Sequence, residues 1–214
     1  MPGRCYGGAA SSFLGVVVQS TFAAGAVGAV LQRCDHPHLP GPISMTYPMH
    51  TSSIPVFRQM LGALKDVLAK TEAHATARKI EPDALLQARL YPDMFPMARQ
   101  VLIACDFAKG VCARLAGVEV PSFPDGERPS FADLNERIDA VVAFIESLPA
   151  ENFAEAATRQ ITLQPGTPRE KQFVGQAYLL HYGLPQFFFH VTTAYALARH
   201  NGVEIGKRDY MGKV

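Results

Sequence analysis

The segment Leu184-Pro-Gln-Phe-Phe-Phe-His-Val-Thr-Thr-Ala-Tyr-Ala-Leu-Ala-Arg-His-Asn-Gly202 constrains this chain most, because it is apolar around most of a helical cylinder yet carries one imidazole in its middle. Pro185 suits a first helical turn, where a missing N–H costs nothing. Asn201-Gly202 supplies a left-handed stop, with Arg199 and His200 in the last turn to complement the helix dipole. Phe187, Val191, Ala194 and Ala198 fall on one stripe, which Phe188, Tyr195 and Leu197 widen. Such a helix must be deeply buried or shared with a partner, and a buried, unpaired His190 would cost ~1–3 kcal/mol.

Apolar periodicity predicts three further long helices. The first opens at Ser53, read as its N-cap, with Pro55 in the first turn, and runs with Phe57, Leu61, Leu64 and Leu68 on one stripe to about Arg78. A short turn at Pro82 to Gln87 bridges to the second, which turns Val101, Ala104, Ala108, Val111, Cys112 and Leu115 inward and Lys109 and Arg114 outward before Gly117 stops it. Ser130 caps the third, Asp133 favours its positive end, and Leu134, Ile138, Val141, Val142 and Ile145 carry it towards Pro149. Between the third and fourth helices, Arg159 to Leu163 alternates polar with apolar, Gln164-Pro-Gly-Thr-Pro168 is turn chemistry, and Glu170 to Val174 returns as a second strand. The expected fold is all-α, a four-helix bundle with a small β-hairpin between helices three and four.

With 214 residues, 48% of them hydrophobic and 18% charged, the chain can bury one full core. A net charge of +1 provides no basic stripe for a phosphate backbone, so no nucleic-acid partner is expected. Residues 1–44 differ in character from the rest of the chain and are read as a disordered or signal-like extension of a domain spanning 45–214. Their apolar runs are split by Gln19, Ser20 and Thr21 and fall short of the ~18 residues of a stable membrane span. The Cys34-Asp-His-Pro-His38 run lacks a second ligand pair at zinc-site spacing and is read as accidental. Cys105 and Cys112 share a helix face but are separated by about 10.5 Å of rise, too far for a disulfide. Two unpaired thiols read as small core residues and point to the cytoplasm, with export as the alternative if residues 1–31 act as a signal peptide.

A phosphate-cradling glycine loop, a Gly-x-Ser-x-Gly elbow and a His-Glu-x-x-His pair are all absent from the sequence. What remains are polar residues set in apolar helices. Gln100 precedes Val101, Asp106 lies on a different face, and Gln186 and His190 are neighbours one turn apart on helix four. Gln100, Asp106, Gln186 and His190 form the expected ligand pocket, with His190 the candidate catalytic residue. Each has a plainer reading, His190 as a hydrogen-bonded core histidine and Gln100 as a solvent-facing amide. His74 reads as a surface residue, His200 as serving the helix end, and His181 and Tyr182 as the loop before Pro185.

Phe95-Pro-Met-Ala-Arg-Gln-Val-Leu-Ile-Ala-Cys-Asp-Phe-Ala-Lys-Gly110, Arg114-Leu-Ala-Gly-Val-Glu-Val-Pro121 and Phe187-Phe-Phe-His-Val-Thr-Thr-Ala-Tyr-Ala-Leu-Ala-Arg-His-Asn-Gly202 together resemble a bacterial family known only as a domain of unknown function, within the DinB/YfiT-like superfamily. The resemblance spans about Met45 to Gly212 and implies a bundle with up-down-down-up connections, usually a homodimer. Superfamily members often hold a divalent metal through one His on helix two and a His-x-x-x-His pair on helix four. Carried over on the spacing to Arg199-His-Asn-Gly202, the pair falls on Gln186 and His190 and the helix-two position on Gln100. Two of three imidazoles are thus amides, implying that zinc or nickel binds weakly or not at all unless Asp106 or another carboxylate contributes. The superfamily includes thiol-dependent transferases and hydrolases. The expected function is therefore a small-molecule binding protein or divergent enzyme with a degenerate metal site at the Gln100/Gln186/His190 end, or else a structural or regulatory homodimer without catalysis.

Overall fold

The computed structural model describes residues 48–213, so the amino-terminal extension and its Cys34 to His38 run lie outside the described residues. Four long helices dominate the rest: α1 (Ile54–Arg78), α3 (Met97–Ala116), α4 (Phe131–Glu146) and α6 (Leu184–His200). Shorter pieces connect them, namely α2 (Pro82–Leu86), a 3₁₀ turn (Ala150–Phe153), the strands β1 (Gln160–Leu163) and β2 (Lys171–Val174), α5 (Gly175–Ala177) and the closing α7 (Lys207–Met211). β1 and β2 pair antiparallel, with Gln160 opposite Val174 and Leu163 opposite Lys171.

Local chemistry explains most helix ends. Lys79 and Gly117 take left-handed conformations that stop α1 and α3. At α4 the Ser130 hydroxyl accepts from the Asp133 N–H while the Asp133 carboxylate accepts from the Ser130 N–H, a reciprocal capping box. Ser53 departs from expectation: it holds the N-cap position of α1, but its hydroxyl donates to the Met49 carbonyl at 2.6 Å instead of accepting. The turn at Pro48 to Ser52 leads straight into α1, and the His50 carbonyl already accepts from the Ile54 N–H.

Side-chain pairs set the helix directions. Arg58 meets Glu146 and Lys65 meets Asp139 at 2.5 Å, so α1 and α4 are antiparallel. Phe57 packs edge-on against Phe187 at 4.8 Å and His74 lies beside Gly202, so α1 and α6 are parallel. Gln100 meets His190 and, further along, Arg114 meets Tyr178, so α3 opposes α6. The bundle is therefore up-down-down-up, with α4 and α6 each lying between α1 and α3. Parallel neighbours α3 and α4 require the long crossover 117–130. Arg137 pins it, donating to Asp125 and to the Pro124 carbonyl, each at 2.7 Å, with its guanidinium over the Phe123 ring.

The predicted stripes are the buried ones, Phe57, Leu61, Leu64 and Leu68 on α1 and Phe187, Val191, Ala194 and Ala198 on α6 among them. A smaller cluster of Val67, Met97, Leu197, Ala198, Val203 and Ile205 closes one end, where Lys70 pairs with Asp209 of α7. Cys105 and Cys112 are free and buried; burial pushes the Cys105 thiol up to about 12 and raises that of Cys112 as well, which makes both inert core residues. No helix among the described residues is long and apolar enough to cross a membrane.

Two expectations need correction. Lys109, read as outward, is buried: the crossover lays Phe123 under its ammonium at 4.9 Å, and Asp106 pairs with it at 3.0 Å. The second concerns the start of helix four. Pro185 does not open that helix, since helical backbone begins at Gly175 and runs through a π-helical stretch, Tyr178–Gly183, into α6. A proline inside a helix lacks a donor and crowds the turn before it, and the wider π turn accommodates both. His181 and Tyr182, read as loop, therefore lie on this turn. It sits close to α3 because residue 183 is glycine; a Cβ there would come within 2.7 Å of a Val111 methyl.

Candidate functional site

Gln100 and His190 are brought together across the α3–α6 contact. Both are buried, and His190 Nδ1 lies 2.7 Å from Gln100 Oε1. The amide orientation is fixed independently, because Gln100 Nε2 donates to the Phe95 carbonyl at 3.0 Å. Oε1 is thus the atom facing the ring, and as a pure acceptor it requires a proton on Nδ1. Burial also pushes the His190 pKa below its ordinary value, favouring the neutral ring. A neutral imidazole protonated at Nδ1 carries a lone pair on Nε2. That nitrogen makes no hydrogen bond among the described residues. Phe107 stacks on the ring at 5.7 Å, and Phe189 meets it edge-on at 5.2 Å.

The other two expected pocket residues do not join this pair. Gln186 is half-buried one turn before His190 and hydrogen-bonds to neither partner. Asp106 is half-buried, pairs with Lys109 and faces a different cavity. That cavity is a groove of about 450 Å³ between α3, the hairpin and the π turn. Phe107, Val111, Tyr178 and Tyr182 form its apolar wall, and Asp106, Arg114, Arg169 and Lys171 supply its charges. Phe107 connects the two places, stacking on His190 and meeting Tyr182 edge-on at 6.0 Å.

Arg114 is a groove residue that periodicity alone misassigns to solvent. Its Nη1 donates to the Gly110 carbonyl at 2.9 Å and reaches the Tyr178 hydroxyl at 3.4 Å. Gly110 is the local signal, since a Cβ there would fall 2.6 Å from Nη1 and push the guanidinium away. Burial raises the pKa of the Tyr178 phenol, with Arg114 opposing, so the hydroxyl stays protonated at neutral pH. Lys171 lies over the Tyr182 ring at 5.4 Å.

Residues 49–211 match the family described as a domain of unknown function, DUF1993. The chain belongs to the DUF1993 family. Among solved structures, the crystal structure of a DinB family member from Shewanella denitrificans is similar to this DUF1993 chain, with 40% identity, a TM-score of 0.72 and coverage of 78% of this chain and 93% of that one. None of the curated proteins matches it. The DUF1993 fold here is thus a DinB-like helical bundle.

The three positions that the superfamily pattern assigns to a metal do not fit one in this DUF1993 chain. Gln100 has both amide atoms committed, Oε1 to His190 and Nε2 to Phe95, and Gln186 is a second weak amide donor. Asp106, the carboxylate expected to compensate, belongs to the groove beyond Phe107. His190 is left as the single imidazole, and no group of three His, Cys, Asp or Glu side chains converges among the described residues. Gln100 acts as the orienting partner of His190, the part that a supporting residue plays behind a ring nitrogen.

Proposed function

We propose that this DUF1993 chain is a small-molecule-binding protein whose ligand occupies the groove between α3, the β1–β2 hairpin and the π turn. The observation that carries this reading is the coincidence of an open cavity of about 450 Å³, within the range of small-molecule sites, with a π-helical stretch that contributes Tyr178 and Tyr182 to its wall. The Gln100–His190 pair stands behind this wall. Its stack on Phe107 holds one side of the groove, and its Nε2, which has no partner among the described residues, is an acceptor or general base for a donor group that reaches past that ring. Leu163 lines the groove from the end of β1 and is half-buried, so Leu163→Trp fills the space from the surface side. Thermal-shift screening of small organic compounds should find ligands for the wild type that Leu163→Trp no longer binds while melting cooperatively. A wild type that no compound stabilises, or binding indifferent to Leu163→Trp, would sink the proposal.

A homodimer is supported by a separate feature. Phe95 and Phe189, whose residues contact the Gln100–His190 pair, are each 54% exposed, and Leu90 and Tyr91 are exposed as well. Sedimentation should show a dimer that Phe189→Glu dissociates; a monomeric wild type at micromolar concentration removes this reading.

A further inference from the structure

The groove carries an imbalance of charge that the fold itself does not use. Arg114, Arg169 and Lys171 line it, and none of the three pairs with a carboxylate among the described residues. Asp106 is the one carboxylate in the lining, and its charge is already offset by Lys109 at 3.0 Å. Arg169 and Lys171 are exposed hairpin residues whose charges water can solvate, but Arg114 is half-buried on α3. Its guanidinium is also held in place, by the Gly110 carbonyl and the Tyr178 hydroxyl, both neutral and both engaged through Nη1. A guanidinium seated by one nitrogen presents its remaining N–H groups as a planar fork, the geometry suited to a carboxylate or phosphate. Beside it the wall is aromatic: Tyr178 and Tyr182 stack at 5.8 Å, and Phe107 continues the surface towards His190.

We propose that the groove takes a small organic anion, its carboxylate or phosphate seated on Arg114 beneath Lys171 and Arg169, with its apolar part against Tyr182 and Phe107. This rests on the groove being the ligand site and adds the chemical class of the ligand. Lys171 reaches the oxyanion from the side of the Tyr182 ring that it already covers.

Benzoate, phenyl phosphate, inorganic phosphate and the neutral benzamide, titrated into the full chain by calorimetry, test the proposal. At least one of the aromatic anions should bind no less than tenfold more tightly than benzamide, and its affinity should fall as salt is added, as expected for a charge-assisted contact. Phenyl phosphate against benzoate tells which oxyanion is preferred, and inorganic phosphate tells whether the aromatic part contributes. Arg114→Gln should weaken the anion about tenfold, the scale of one lost charge-assisted hydrogen-bond pair, and leave benzamide unchanged. Gly110→Ala should give the same loss by unseating the guanidinium; should it fail to melt cooperatively, Arg114→Gln decides alone. Benzamide binding as tightly as the anions, with both blocked by Leu163→Trp, overturns the anion proposal and leaves the groove as a ligand site. Anion binding that survives both Arg114→Gln and Leu163→Trp places the site elsewhere and overturns it too, and failure of every compound at millimolar concentration overturns both readings.

Discussion

Arg137 and Arg114 are two arginines on apolar helices, one under the crossover and one lining the groove, and the protein treats them in opposite ways. Arg137 is met by a carboxylate and a carbonyl of the crossover, Asp125 and Pro124, both at 2.7 Å. Burial pushes the Asp125 carboxyl up, yet Arg137 and Arg99 outweigh it and hold that carboxyl below its usual range. Arg114 is met by a glycine carbonyl and a phenol, neither carrying charge. A buried charge satisfied within the chain pins structure, and a half-buried one left uncompensated over an open groove is available to a ligand.

The sharpest way to break this contrast is to remove each arginine. Arg137→Met should cost ~2–3 kcal/mol, the scale of losing charged hydrogen bonds from a buried site, with Asp125 still partly exposed and retaining Arg99. Urea denaturation measures it, and a double-mutant cycle with Asp125→Asn should show coupling of ~1 kcal/mol or more. Binding of anions in the groove should be unchanged. A loss below about 0.5 kcal/mol, the usual range for surface substitutions, would mean that the crossover is held by something other than Arg137.

Gln100→Leu comes next. It strands the His190 Nδ1–H and the Phe95 carbonyl together, so a loss of ~1–3 kcal/mol is expected. Gln100→Leu with His190→Phe should recover part of that loss, because only the Phe95 carbonyl then remains unpaired. No recovery would show that Gln100 serves packing and not the imidazole. Arg114→Gln should cost clearly less than Arg137→Met, since it loses hydrogen bonds to two neutral partners but no ion pair. A cost equal to that of Arg137→Met would erase the contrast and make Arg114 a structural residue.

The four helices were legible because each rests on short-range chemistry: apolar stripes one turn apart, a Ser130–Asp133 box, Gly117 in a left-handed conformation. What was not legible depends on residues distant in sequence. Lys109 read as solvated because nothing nearby announces the crossover that covers it with Phe123. Pro185 obeys the local rule for a helix start, and only the helical backbone upstream of it shows that the run continues. Of the four expected pocket residues, Gln100 and His190 meet because they face each other across two helices, whereas Asp106 lies on a different face of α3, as its position implied, and so serves another cavity. The groove joins α3 to a hairpin more than forty residues later, and its one sequence-level trace is Gly110, a full turn before Arg114 where a side chain would have no room.

The smallest expected effect concerns the proton on His190. Burial holds its pKa below the ordinary 6.5, so the unfolded chain takes up this proton more readily than the folded one. The stability contributed by the neutral ring is therefore complete above about pH 6.5 and is lost as the pH falls through the folded value. The carboxylates with lowered pKa values among the described residues, Asp125, Asp133, Asp209 and Glu170, act below their ordinary 3.8 or, for Glu170, 4.5, and they are common to both proteins, so the comparison cancels them. His190→Phe keeps an aromatic ring against Phe107 but cannot titrate, so its stability relative to the wild type isolates the imidazole. The gap between the two proteins should narrow from pH 7 to pH 5, the direction set by the lowered pKa of the folded ring. A gap that widens on acidification would mean that the folded ring is the better base, with protons on both nitrogens in the native state. Nε2 would then be a donor, and the view of His190 as an acceptor through Nε2 would have to be abandoned.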